Sequence, residues 1–506
     1  MFLRRTLSSV LLLLFFMLAA SAQDMTVRTG CRRGTPRPEG LVMRRGAPDS
    51  QPKQVGGDFY HGERHQLVVL AAFSDCHFEG DESATLSLWN KIFNREGLDE
   101  EPFAGSVRDY FLDQSYGRFG LTFDMQYVQL KDPMAKYGST RADDENSQFL
   151  VQDVVAALAE RDIDWGLYDW NGDGYVNQLL IVYAGKGSSY GGFGGGYDAI
   201  WPHQWWLTDH RNPTTLEYCS AETVVSDGKN FLVDSYCAVQ ELTDKGTYGT
   251  FGTICHEFSH CFGFPDFYYG TTKSVGSWDL MDDGNKNSGG FCPPGYSAHE
   301  RWHMGWLEPV ELTAPTTVST MPALGDEPQA YLIRNDGHHD EYYLVENRQQ
   351  QGWDASLPGS GIVVFHVDFD ERVWLTDYPN GSTKRYSIIP ANNSLYYQEF
   401  TCKNWAYPYD GNNQLTNDSK PAATLLHANA DGTLLMNKSL TNMSVSAGLA
   451  SFDFMGGGAS AITDISDSSS PDADVVYDLQ GHRLSRRLNE LPPGIYIVGG
   501  KKAIIN

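Results

Sequence analysis

Positive charge is scarce in this chain. Only 38 Lys and Arg stand against 64 Asp and Glu, a formal net charge of −26. That balance argues against nucleic acid or an anionic membrane surface as partner, and favours solubility and cation binding. Closely paired cysteines are absent as well. The eight cysteines (Cys31, Cys76, Cys219, Cys237, Cys255, Cys261, Cys292 and Cys402) contain no Cys-x-x-Cys step, so the zinc sites built on that spacing are excluded. Cys219 with Cys237 is the expected local bridge. Beyond residue 22 no apolar run is long enough to span a bilayer. Residues 1–22 hold Arg4 and Arg5, an apolar stretch from Val10 to Ala19, then Ala20-Ser21-Ala22 before Gln23. They read as a secretory signal peptide, so the mature chain is expected to be secreted or at the cell surface with no transmembrane segment.

What the chain does have is a thirteen-residue run, His256-Glu257-Phe258-Ser259-His260-Cys261-Phe262-Gly263-Phe264-Pro265-Asp266-Phe267-Tyr268. Positions i and i+4 lie one above the other on a helix, so His256 and His260 can reach one zinc ion from the same side. Glu257 sits at the edge of that face, where it can take a proton from a zinc-bound water as the catalytic base. Tyr248, Phe251, Cys255, Phe258 and Phe262 recur at spacings of three and four and supply the apolar stripe of a core-packed helix. Gly263 suits the left-handed end of that helix, and Pro265 cannot continue it. The chain must turn back, which lets Asp266 return as third ligand. Glu300 stays open as the alternative third ligand.

A second constellation, Asp169-Trp170-Asn171-Gly172-Asp173-Gly174-Tyr175-Val176-Asn177, places Asp169, Asn171, Asp173 and Asn177 like the opening of a calcium loop. Leu180 occupies the position of the usual bidentate glutamate, and a strand follows instead of a helix. An Asx/Gly turn is the alternative. The order along the chain is a leader over 23–60, a mixed helix and strand region over 61–310, and strand signals over 311–455 that read as a β-sandwich. A Gly- and Ser-rich linker follows over 456–473, then a short β-rich tail over 474–506.

The motif from His256 to Tyr268 resembles the immune inhibitor A family of secreted bacterial metallopeptidases. So do Gly276-Ser277-Trp278-Asp279-Leu280-Met281, Tyr296 to Trp306, Gly105 to Phe111 with Gln114 to Gly117, Glu346-Asn347-Arg348 and Gly352-Trp353-Asp354. The resemblance covers roughly residues 60–380. It implies an α+β fold with a zincin (metzincin-like) catalytic domain, a zinc cofactor and endopeptidase activity on protein or peptide substrates. It carries His256, His260 and Asp266 over as ligands, Glu257 as the catalytic residue and Met281 as the methionine of a turn beneath the metal.

Two further expectations complete the reading. Cys31, among Arg28, Arg32 and Arg33, is a candidate latency ligand of an uncleaved leader. The stretch from Val476 to Lys502 resembles the C-terminal sorting domain of type IX secretion substrates, which implies recognition by that machinery. A surface-binding or adhesive protein with a zinc domain of minor catalytic role is the competing function. The intact Glu257 argues against it.

Overall fold

The computed structural model describes residues 60–138, 146–190, 199–269, 273–376, 379–394 and 402–458, and four strands beyond residue 475. The signal segment, nearly all of the leader with Cys31, and most of the linker lie outside the described residues.

The N-terminal half is built on one sheet. Strands β1 (Gly62–Ala72), β2 (Phe119–Gln129), β3 (Leu179–Lys186), β4 (His203–Trp206) and β7 (Ser235–Leu242) lie in the order β2-β1-β3-β7-β4. The first four in that order run parallel, and β4 closes the edge antiparallel to β7. Such a sheet is covered on both faces, which is why β1 reads as an unbroken apolar run. Its side chains alternate between two cores. Val68, Leu70 and Ala72 face one, and Leu67, Val69 and Ala71 the other. The second core is capped by α3 (Ser147–Leu158), through Leu150, Val151, Val154 and Leu158. The first is covered by α1 (Glu82–Asn94), α2 (Val107–Gln114) and α4 (Phe251–Ser259). Ser106 and Asp109 form a reciprocal capping box that starts α2. A hairpin of β5 (Glu222–Ser226) and β6 (Lys229–Val233) forms a separate small sheet.

Past the short helix α5 (Ala298–His303), strands take over. They are β8 (Val310–Glu311), β9 (Thr316–Met321), β10 (Tyr331–Asn335), β11 (His338–Arg348) and β12 (Gly361–Asp368), then, after the one-and-a-half-turn α6 (Glu371–Thr376), β13 (Tyr386–Ile388), β14 (Leu440–Ser446) and β15 (Leu449–Phe454). They make one sheet of order β13-β12-β11-β10-β8 and another of order β14-β15-β9. Period-two alternation again divides the labour. Tyr343, Val345, Ile362 and Val364 share a core with Val318, Phe452 and Phe454 of the three-stranded sheet. Tyr342, Leu344, Val363 and Phe365 face the other way and join the core beneath α4, so one hydrophobic body runs from the motif helix into this sheet. The tail strands β16 (Val476–Tyr477), β17 (Arg483–Leu484), β18 (Gly494–Val498) and β19 (Lys501–Ile505) form a sheet of order β17-β16-β18-β19.

Cys219 and Cys237 are not bridged. Cys237 lies in β7 with its side chain turned into the core under the helices, while Cys219 is half-buried ahead of β5. Among the described residues no helix is long and apolar enough to cross a membrane.

Candidate metal centre

The motif helix is held in place by its own apolar residues. Phe251, Ile254, Cys255 and Phe258 are fully buried against the sheet, and Tyr248 packs just ahead of the helix. Gly252 permits a close approach, since a Cβ there would stand 2.0 Å from the Asn285 carbonyl oxygen. The α-helix ends at Ser259, and His260–Phe262 continue as a single 3-10 turn. This tightening does not separate the two imidazoles, whose centroids are 5.0 Å apart. Gly263 then takes φ +93°, the left-handed conformation expected of a helix end. The chain reverses, and Asp266 comes back over the helix.

The result is a convergence of three side chains. Asp266 Oδ1 lies 3.2 Å from His256 Nε2 and 3.5 Å from His260 Nε2. Donors at about 2.0–2.1 Å from a tetrahedral zinc are separated by about 3.3 Å, so both spacings fit one ion. The far ring nitrogens are committed to backbone carbonyls. His256 Nδ1 is 2.9 Å from Leu280 O, and His260 Nδ1 is 2.7 Å from Phe264 O. With its Nδ1–H donated, each imidazole keeps its Nε2 lone pair for a metal, and the ring is fixed in orientation. All three residues are at least 98% buried. Neither His256 Nε2 nor Asp266 Oδ1 makes a hydrogen bond of proper geometry. Buried polar atoms left this way are costly, and a shared cation would satisfy them. Burial would keep the His256 imidazole neutral, but Asp266 and Glu257 outweigh it and lift its pKa to about 8. Cation and proton therefore compete for one position. Glu257 is buried beside the cluster, with Oε2 3.9 Å from His260 Nε2.

Glu300 does not join them. It is the third residue of α5, and its Oε2 accepts from the Ser297 amide at 2.7 Å and the Ser297 hydroxyl at 3.0 Å. Its carboxyl is pushed well above the usual range by burial and then by nearby Asp279, itself raised to about 7 mainly by burial. Met281 is buried near the cluster, and its carbonyl accepts the Phe267 amide at 2.8 Å, tying it to the segment that carries Asp266.

Other motif residues serve the scaffold. Arg348 is buried and binds Asp354 through two nitrogens, at 2.7 and 2.6 Å, and Glu346 at 3.0 Å. Glu346 in turn accepts the Ala298 amide that opens α5, and Trp353 stacks on Phe251 of α4 with planes 8° apart. Sequence reading missed Leu280 and Phe264 as orienting carbonyls, because a carbonyl carries no residue signature.

The acidic loop is a tight turn. Asp169 Oδ1 accepts from Gly172 and Asp173, its Oδ2 accepts from Gly174, and Asn177 Oδ1 accepts from Trp170. These side-chain oxygens already serve backbone amides.

Comparison with known proteins agrees with this chemistry. Residues 90–304 match the family described as immune inhibitor A peptidase M6, catalytic domain. Immune inhibitor A of Bacillus thuringiensis subsp. alesti is 27% identical over 293 residues, 50% of this chain and 41% of that protein. Pre-pro-metalloprotease PrtV of Vibrio cholerae serotype O1 is 27% identical over 218 residues, 38% of this chain and 23% of that protein. The chain thus spans less than half the length of the curated relatives it matches. These similarities support a metallopeptidase with a catalytic metal, typically zinc.

Proposed function

We propose that the chain is a secreted zinc-dependent endopeptidase that hydrolyses peptide bonds of extracellular proteins. The observation that carries this reading is the buried convergence of His256 Nε2, His260 Nε2 and Asp266 Oδ1 beside Glu257. His256, His260 and Asp266 hold the zinc, and a bound zinc supplies a Lewis acid that polarises the scissile carbonyl and acidifies water. Glu257 takes the proton of the attacking water and hands it to the departing amine. The Leu280 and Phe264 carbonyls keep both imidazoles aimed throughout.

The remaining parts follow the same reading. Residues 1–22 direct export, 23–60 form a leader in which Cys31 imposes latency, and 61–310 form the metzincin-like catalytic domain. The two packed sheets of 311–455 are a β-sandwich, and 474–506 are recognised by a secretion machinery as a sorting tail. Ca2+ at Asp169, Asn171, Asp173 and Asn177 requires those oxygens to exchange amide partners for the ion.

The test is a casein gel with and without a zinc chelator, run beside the Glu257→Ala protein. Clearing should vanish with the chelator and with the variant. Equal clearing by Glu257→Ala would overturn the mechanism and favour the adhesive reading.

A further inference from the structure

A second cluster with the same donor set lies in the C-terminal half. His338 opens β11, Asp368 ends β12, and His427 belongs to the long connection between β13 and β14. Asp368 Oδ1 is 3.2 Å from His427 Nε2 and 3.7 Å from His338 Nε2, and the two imidazole centroids are 4.0 Å apart. We propose that His338, Asp368 and His427 form a second, structural zinc site that clamps this connection to the adjoining ends of β11 and β12.

Four observations carry it. The two separations from Asp368 Oδ1 bracket the tetrahedral edge of about 3.3 Å set by zinc–ligand distances. Asp368 is 98% buried, yet its Oδ1 has no hydrogen-bond partner and points at both imidazoles. Its other oxygen is taken by Arg385 Nη1 at 2.7 Å, which fixes the carboxylate and directs Oδ1 into the cluster. His427 is positioned independently of any ion, because its amide donates to Glu341 Oε2 at 3.0 Å and its carbonyl accepts from Asn335 Nδ2 at 3.1 Å.

Two imidazoles this close would repel if both were protonated, whereas two neutral ones make a ligand pair suited to zinc and its neighbours. His338 and His427 are 40% and 42% exposed, so water can complete the coordination. Nothing links the site to peptide hydrolysis. It stands or falls apart from the peptidase reading.

The experiment measures bound metal on the full chain, stripped with chelator, reloaded with Zn2+ and desalted. Wild type should hold two equivalents by plasma mass spectrometry. His338→Ala/His427→Ala should hold one and keep casein cleavage unchanged, and His256→Ala/His260→Ala should also hold one. Charged with Co2+, the latter variant should show visible d–d bands that disappear when His338 and His427 are removed too. A loss of no equivalent in His338→Ala/His427→Ala relative to wild type overturns the proposal, whatever the buried centre does. That comparison involves only two half-exposed side chains, so it decides even where the His256→Ala/His260→Ala protein fails to fold.

Discussion

Two His-His-Asp clusters with nearly identical donor spacings sit in the two halves of this molecule, and their surroundings differ in every respect that matters for catalysis. The one that begins on α4 is buried, its imidazoles are steered by carbonyls, and a glutamate stands beside it. The one at the end of β12 is open to solvent, and its carboxylate is neutralised by Arg385. On the proposed reading, donor geometry alone does not make a catalytic centre. A base next to the open position and a low-dielectric setting for the developing charge must be added.

The sharpest way to break this comparison is to remove the base. Glu257→Gln should lower kcat/KM on a quenched-fluorescence peptide by about 10²–10⁴-fold while zinc content stays unchanged. A variant with near wild-type turnover would show that the glutamate is not what separates the two clusters. The next largest effect concerns the third ligand. Asp266→Asn should lower zinc affinity at the buried centre by at least about tenfold, by analogy with the losses seen when even outer partners are removed. Glu300→Gln should leave both affinity and turnover close to wild type, since glutamine also completes a capping box. The reverse ranking, read by competition with a chromogenic chelator, would return Glu300 to the metal.

How much of this was legible beforehand follows from sequence separation. The buried cluster draws its three side chains from eleven consecutive residues, His256 to Asp266. Helical periodicity, Gly263 and Pro265 suffice to foresee that they converge. The 3-10 turn over His260–Phe262 was not foreseen, because such tightening is frequent at helix termini and carries no residue signature of its own. The second cluster gathers residues 338, 368 and 427, and it exists only through the antiparallel pairing of β11 with β12 and the course of a loop. No spacing rule marks it. Arg348, Asp354 and Glu346 stood out only as part of a resemblance, and their physical role in bracing α5 required the fold.

Buried carboxyls extend the comparison between halves to pH. Burial pushes Glu241, at the end of β7, up to about 7 despite the Gly185 amide it accepts at 2.9 Å. Burial also works against Glu341 of β11, but His366 at 2.7 Å and the Leu426 amide overrule it and hold the carboxyl near 2. A raised carboxyl binds its proton more tightly folded than unfolded. The Glu241 contribution is thus present below about pH 4.5 and is lost as pH rises toward 7, at up to about 1.4 kcal/mol per pH unit. A depressed carboxyl does the opposite, so the Glu341 contribution is present above about pH 4.5 and is lost as pH falls toward 2. Thermal melts from pH 3 to 8 should show Glu241→Gln flattening the neutral side and Glu341→Gln flattening the acid side. Identical profiles for the two variants would mean that the halves treat buried acids alike.

The smallest effect concerns calcium, and it separates an ion site from a turn that merely looks like one. The Asp169 oxygens already accept three amides, so Asp169→Ala should lower the melting temperature whether or not an ion binds, and that variant alone decides nothing. Addition of Ca2+ to wild type is the informative arm. With a dissociation constant of about 10⁻⁴–10⁻³ M, as in extracellular modules, 1 mM Ca2+ would add about 0.4–1.4 kcal/mol of stability. An upward melting shift present in wild type and absent in Asp169→Ala, measured on protein whose zinc is already saturated, would assign the ion to this loop. A wild-type melt that ignores Ca2+ would leave Asp169, Asn171, Asp173 and Asn177 as an Asx turn, self-satisfied by its amides. The candidate metal sites among the described residues would then be the two histidine-bearing clusters.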